Sequence, residues 1–246
     1  MEAIRLRISQ QLASYRMPGS YVIRQSYPLP PYSSVIGMIH AACCFTEYVG
    51  MKVSIQGDFA SSVSEPFTYY SFNNGMKYDA SRHTHKFRSE LKADTDIGMT
   101  RGLQHVELLT DVELLIHVLP DDPAKLSVIA DGLRNPKHYI SLGRHEDIVR
   151  VDEVSTVELG ETDEVSFVHS AYVPLTDELG DGLKMLSGTK FLLGKRFETP
   201  NGSNKLKTRK WVESVSALYV GRGGDAECMT VPADNLGGTE YPVFFA

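Results

Sequence analysis

Cations interleaved with aromatic rings are the feature of this sequence most able to act on a ligand. Lys77, Tyr78, Arg82, His83, His85, Lys86, Phe87, Arg88, Lys92 and Arg101 all fall within residues 77–101. Single-stranded nucleic acid is held by this combination, because cations follow the phosphates while aromatic or guanidinium planes stack on bases. Stacking contributes roughly 1–3 kcal/mol per base, so two or three rings make a useful grip. The same stretch holds Asp79, Glu90, Asp94 and Asp96, so a solvated loop with largely cancelling charges is the competing reading. Upstream, Tyr15-Arg16 and Arg24 suit a loop that touches an anion. Downstream, Ser141-Leu-Gly-Arg144 places a glycine beside a cation. Gly143 could take a positive φ or admit a close backbone, leaving Arg144 to clamp a phosphate. A tight turn with a solvated arginine fits that block equally well.

Other chemistries find little support. His83 and His85, with His105, could gather around a metal, but a polar loop without Cys or helical His spacing favours surface histidines. No metal and no cofactor is expected. There is no P-loop, no dinucleotide fingerprint, no Gly-x-Ser-x-Gly and no paired-Cys zinc spacing. Gly221-Arg-Gly-Gly224 follows a strand pattern but opens no helix, and reads as a turn.

The elements that must position these residues follow from periodicity. Ala3 to Ser9 alternates strictly, with Ile4, Leu6 and Ile8 on one side, as a half-buried strand does. After Tyr27-Pro-Leu-Pro-Pro-Tyr-Ser-Ser34, Ser33 or Ser34 is the expected N-cap of a helix running to about Glu47. Its stripe is Val35, Ile39, Ala42 and Cys43, and Gly37 within it signals close packing or a ligand's approach. Met51 to Phe59 reads as a strand. Residues 60–105 show no sustained period, which marks a functional or disordered insertion. Val106 to Leu119 is a long strand or strand pair. Asp121-Asp-Pro123 then starts a helix buried through Leu126, Ile129, Ala130 and Leu133 and stopped at Asn135-Pro136. Ile148 to Val151 is a further strand. Lys190 to Glu198 and Lys207 to Val220 flank a hairpin turn at Pro200-Asn-Gly-Ser-Asn204. Residues 1–155 thus read β-α-β-insertion-β-α-β, an α+β ferredoxin-like (βαββαβ) domain. Residues 156–246 form a smaller, mostly β C-terminal region packed on it.

With 246 residues, 42% of them hydrophobic and 23% charged, the chain can bury a core without a staple. Three Cys, two of them the neighbours Cys43 and Cys44, exclude a disulfide framework and suit a reducing cytoplasm. Neither a signal peptide nor a membrane span is expected. The net charge of −6 conceals segregation. Residues 1–105 carry eleven Lys/Arg against eight Asp/Glu, residues 106–187 six against seventeen, and residues 188–212 seven against one. A basic face can therefore coexist with an acidic one.

Three blocks together resemble a known family: Tyr15-Arg16 with Tyr27-Pro-Leu-Pro-Pro-Tyr-Ser-Ser-Val-Ile-Gly37, Leu108-Leu-Thr-Asp-Val-Glu113, and Ile140-Ser-Leu-Gly-Arg-His-Glu-Asp-Ile-Val149. They resemble the CRISPR-associated RAMP-superfamily subunit of type I Cascade that caps the 5′ handle of the guide crRNA. The final third looks like the type I-B or I-A branch. The resemblance implies an RRM-like domain with a thumb inserted at about residues 60–105. It also implies that RNA is held by Tyr15, Arg16, Arg24, Tyr27, Ser33 and Ser34, by thumb positions Lys77, Arg82, His83, His85, Lys86, Arg88 and Arg101, and by Arg144. Ser141 to Arg144 either touches RNA or shapes the fold. The implied partners are the crRNA 5′ handle, the Cascade backbone and large subunits, and target DNA through the complex, with no membrane. The expected protein is a non-catalytic, cytoplasmic subunit. The alternative is a metal-independent endoribonuclease of CRISPR repeat RNA, which needs a base, an acid and a cation. His83 or His85, Tyr27 or Tyr32, and Lys86 are its candidates.

Overall fold

The computed structural model describes residues 1–20, 23–88, 95–176, 182, 186–199, 210–226 and 230–246. In chain order the elements begin with β1 (Glu2–Ala13), β2 (Ile23–Arg24), α1 (Tyr32–Ala42), β3 (Met51–Asp58), β4 (Ser61–Lys77), β5 (His85–Arg88) and β6 (Asp96–Pro120). There follow α2 (Lys125–Arg134), β7 (Arg150–Glu158), β8 (Gly160–Thr162), β9 (Val165–Ser166) and β10 (Ser170–Pro174). The chain ends with β11 (Thr189–Glu198), β12 (Lys210–Val220), β13 (Asp225–Ala226), β14 (Val231–Leu236) and β15 (Thr239–Pro242). Strands dominate, and neither α1 nor α2 is long and apolar enough to cross a membrane.

One large sheet organises the molecule, in the order β11-β12-β10-β3-β6-β1-β7. Ile4, Leu6 and Ile8 of β1, with Ile116 and Val118 of β6, enter a core shared with Val35, Ile39 and Ala42 of α1 and Ile129 and Leu133 of α2. Alternation places the intervening residues on the opposite face. That face is polar yet buried, because the C-terminal strands and tail cover it. Gln56 donates to the Pro242 carbonyl, the Phe244 amide donates to Ser54 Oγ at 2.9 Å, and His117 Nε2 donates to Asp234 Oδ2 at 2.9 Å. Arg5 completes the cluster, reaching both oxygens of Asp234 at 3.0 and 3.1 Å and Glu153 at 2.8 Å. Burial pushes the Asp234 carboxyl up, but the bonds from His117 and Arg5 outweigh it and hold the group below the usual carboxylate range. The sheet is therefore a middle layer, with helices on one side and the C-terminal strands on the other.

The stretch with no period, residues 60–105, is ordered where it is described. β4 and the first part of β6 pair antiparallel from Ser61↔Thr110 to Phe72↔Met99, and β5 pairs with β6 at the tip. The single strand β6 thus runs from the core into a projecting ribbon of about 14 residues, roughly 45 Å at 3.3 Å per residue. Asp111, with φ +49°, sits where core strand becomes ribbon. Both ribbon faces meet solvent, so no apolar alternation was needed to build it. Lys92, Glu90 and Asp94 lie outside the described residues, as does the Pro200–Asn204 turn, although β11 and β12 do pair antiparallel.

Two helix expectations are corrected. α1 stops at Ala42 rather than near Glu47, because Cys44 turns to φ +55° and His40 Nε2 accepts the Val49 amide at 2.9 Å. Its N-cap is Pro31, not Ser33 or Ser34, and no side chain caps the first turn. A boundary at residue 155 falls inside β7, and β10, β12 and β11 extend the same sheet from β3.

Candidate nucleic-acid interface

Three chain segments meet beside the N-terminus of α1. The chain leaves β1 through Ser14-Tyr15-Arg16, and the Arg16↔Ser26 bridge turns it back. β2 then lies parallel to β6, with Arg24 opposite Val106, which plants Arg24 at the root of the ribbon. The loop at Gly143-Arg144 closes the third side. Together they line a cleft of about 300 Å³ with Arg16, Arg24, Pro31, Ser34 and Arg144 on its walls.

The two arginines supplied by the first segments are differently held from Arg144. Arg24 has its guanidinium 4.5 Å above the Phe67 ring, and its Nε is buried without a hydrogen-bond partner. Burial and the neighbouring charge of Arg16 both lower the Arg24 pKa below its ordinary value. Arg16 is exposed, its guanidinium reaching only the Ser20 carbonyl at 3.5 Å. Among the described residues neither has a carboxylate partner. Two adjacent guanidiniums without a carboxylate partner among the described residues, next to a helix start that no side chain caps, have the chemistry to receive an anion such as phosphate.

Arg144 is committed elsewhere. It binds Asp147 at 2.6 and 3.1 Å and Glu146 at 3.1 Å, and the Asp147 carboxylate raises its pKa. Asp147, 2% exposed, also accepts the amides of Ser14 at 3.0 Å and Arg144 at 2.9 Å. Gly143 has φ +108°, and a Cβ there would meet Asp147 Oδ2 at 2.8 Å and the Ser14 carbonyl at 2.9 Å. The Ser141 to Arg144 block therefore shapes the cleft by tying its turn to the end of β1.

Several expected residues support the site from below. Tyr15 is buried, its hydroxyl donating to Gln10 Oε1 at 2.7 Å, and burial raises its pKa. Tyr27 is buried edge-to-face against Phe191 at 5.4 Å, and Tyr32 is fully buried. Neither Tyr15 nor Tyr27 presents a ring face outward. Ser33 and Ser34 are half-buried on the first turn of α1.

The ribbon divides the remaining cations. Directly paired residues share a face, so Tyr70, Phe72, Arg101, Leu103 and His105 line one side, joined at the tip by His85 and Phe87 of β5. All are exposed, Phe72 at 66% and Leu103 at 68%. Three open rings beside Arg101 and two histidines make a stacking surface. Tyr70, Phe72 and Leu103 were absent from the sequence-derived set, although Thr68-Tyr-Tyr-Ser-Phe72 does carry alternate aromatics. Lys86 lies on the other side, bound to Asp96 at 2.7 Å, and Arg88 alternates with it through Phe87 on that same side. Arg82 is 3.5 Å from Asp79, and Lys77 is exposed. His83 is the correction: it is 7% exposed, accepts the Asp79 amide at Nδ1 (2.8 Å), and sits against Gly98. It builds the tip turn and is not a surface histidine.

With this geometry in hand, the family model Cas_Cas5d, described as CRISPR-associated protein (Cas_Cas5), matches residues 3–217. The chain belongs to this family. Among solved structures, a chain of a "CRISPR RNA-guided surveillance complex" aligns with TM-score 0.51 and 16% identity over 91% of each chain, which establishes a shared fold. A CRISPR protein from Archaeoglobus fulgidus aligns with TM-score 0.45 and 13% identity, over 99% of this chain and 100% of that one. A chain of a Type III-B Cmr-beta complex bound to cognate target RNA aligns with TM-score 0.44 and 12% identity, over 91% and 86%. No curated protein sequence matches. The chain is thus a CRISPR-associated protein of the Cas5 family, and the cleft and ribbon lie within the matched residues.

Proposed function

We propose that this chain is a non-catalytic, cytoplasmic RNA-binding subunit of a type I CRISPR complex. It grips the 5′ handle of the guide between the Arg16–Arg24 cleft and the aromatic face of the ribbon, and neighbours the backbone and large subunits. The observation that carries this reading is the pair of guanidiniums without a carboxylate partner among the described residues, at the root of a ribbon whose exposed face bears three rings. Phosphates suit the first and bases the second. The β3-β6-β1-β7 order, with α1 and α2 on one face, supports the RRM-like βαββαβ reading within the larger sheet.

Cleavage chemistry is disfavoured by position. His85 and Lys86 sit on opposite faces of the ribbon tip, His83 is built into the turn, Tyr27 is buried beside α1 and Tyr32 is buried in its first turn. A base, an acid and a cation would have to converge on one phosphate. Labelled repeat RNA incubated with the protein in EDTA should stay uncut while a cutting relative cleaves it. For binding, Arg24→Glu should weaken RNA affinity and lower the salt slope by about one, as loss of one phosphate contact does. An unchanged affinity and slope would remove the cleft from the RNA path.

A further inference from the structure

The Arg16–Arg24 cleft does not end at α1. Ser34 and Gly143, on its far wall, also line a second depression of about 330 Å³ that runs along the exposed side of α1 past Gly37 and Ala41. His138, Tyr139 and Ile140 bound that depression and a third one of about 740 Å³, into which Arg134, Lys137 and Arg150 also face. The three are contiguous through shared residues.

We propose that the RNA path continues through these depressions, and that Tyr139 and Lys137 hold the nucleotides beyond the first cleft by stacking and charge. The inference rests on the RNA-binding reading and extends it to a second subsite. Charge placement supports it first. Residues 106–187 carry only six Lys/Arg against seventeen Asp/Glu. Four of those six, Arg134, Lys137, Arg144 and Arg150, line the first or third of these clefts. Arg134 and Arg150 are partly offset by Asp131 at 3.2 Å and Asp152 at 2.6 Å. Lys137 has no carboxylate partner among the described residues. Beside it Tyr139 is 93% exposed, its ring open to a base.

Gly37 gives a second support. Glycine inside a helix costs stability relative to alanine, yet among the described residues no atom beyond the surrounding helix backbone and its two chain neighbours lies within 4 Å of where its Cβ would stand. Internal packing does not require glycine there, while a strand laid along α1 would use the space.

The test is a set of affinities of the full chain for single-stranded RNA of about 4 to about 16 nucleotides. Wild type should gain affinity with length. Tyr139→Ala and Lys137→Glu should leave the shortest RNA unaffected and weaken the longest about 5- to 100-fold. Tyr139→Trp should restore it, as a stacking role requires. Truncating a residue this exposed leaves the fold intact. If Arg24→Glu weakens every length while Tyr139→Ala and Lys137→Glu weaken none, the RNA-binding reading stands and this extension fails, leaving the Tyr139 face to a protein neighbour. If Arg24→Glu changes nothing either, both are overturned.

Discussion

Asp147 ties together more of the cleft than any side chain on its open side. Its carboxylate accepts the amides of Ser14 and Arg144 and the guanidinium of Arg144, joining the end of β1 to the turn after α2. Replacing it by alanine leaves the buried Ser14 amide and the half-buried Arg144 amide without an acceptor and the Arg144 guanidinium with Glu146 alone, a loss on the order of 2–3 kcal/mol. Gly143→Ala forces a Cβ into the same carboxylate at a positive φ and should cost about 1–3 kcal/mol. Arg16 makes no comparable bond, so Arg16→Ala should change stability by no more than about 0.5 kcal/mol while still weakening RNA binding. Urea unfolding of the three variants checks this ranking. A destabilisation by Arg16→Ala equal to that of Asp147→Ala would mean that Arg16 and Arg144 are not divided between binding and support.

At the scale of elements, the rings proposed to bind RNA stand apart from the folding core. Tyr70 and Phe72 are 54% and 66% exposed on a ladder held by backbone pairing, so their truncation removes rings without opening the core. Tyr70→Ala and Phe72→Ala should each weaken RNA binding by about 1–3 kcal/mol if a base stacks there, with the thermal midpoint nearly unchanged. Filter binding beside a melting curve decides it, and an unaltered affinity would strip the ribbon of its stacking role. The ribbon also shows what a sequence conceals. β1 was readable because one of its faces is apolar and buried, and α2 because Pro123 and Asn135-Pro136 bound it. β4 and the outer half of β6 have no buried face, so the period on which such reading depends is missing. The cleft's parts were readable as residue types in Arg16, Arg24 and Ser34. Which of them pair with carboxylates was not, because Asp147 lies 131 residues from Arg16 in the chain and only the fold brings their segments together.

At the scale of the whole molecule, the Arg5–Asp234–His117 cluster fastens the C-terminal strands to the face of the sheet opposite the helices. Asp234 is 2% exposed and faces Arg5 of β1 and His117 of β6, while Glu153 of β7 shares the Arg5 guanidinium. Asp234→Ala leaves the buried charge of Arg5 short of its partner and should cost about 3–5 kcal/mol. The carboxyls of Asp234, Glu153, Asp58 and Asp152 are all held below their ordinary values, against the opposing effect of burial, by hydrogen bonds from their neighbours. A carboxyl depressed in the folded state binds its proton more readily when unfolded. The stability it contributes is complete above its ordinary value, 3.8 for Asp234, and is lost as pH falls from there through the folded value. Unfolding free energy should therefore fall steeply below about pH 4. In Asp234→Asn the same acid limb should be shallower, because one of these proton-linked groups is gone. Urea titrations between about pH 3 and pH 7 would show it, and an acid limb of equal slope in both proteins would place the acid sensitivity outside this cluster.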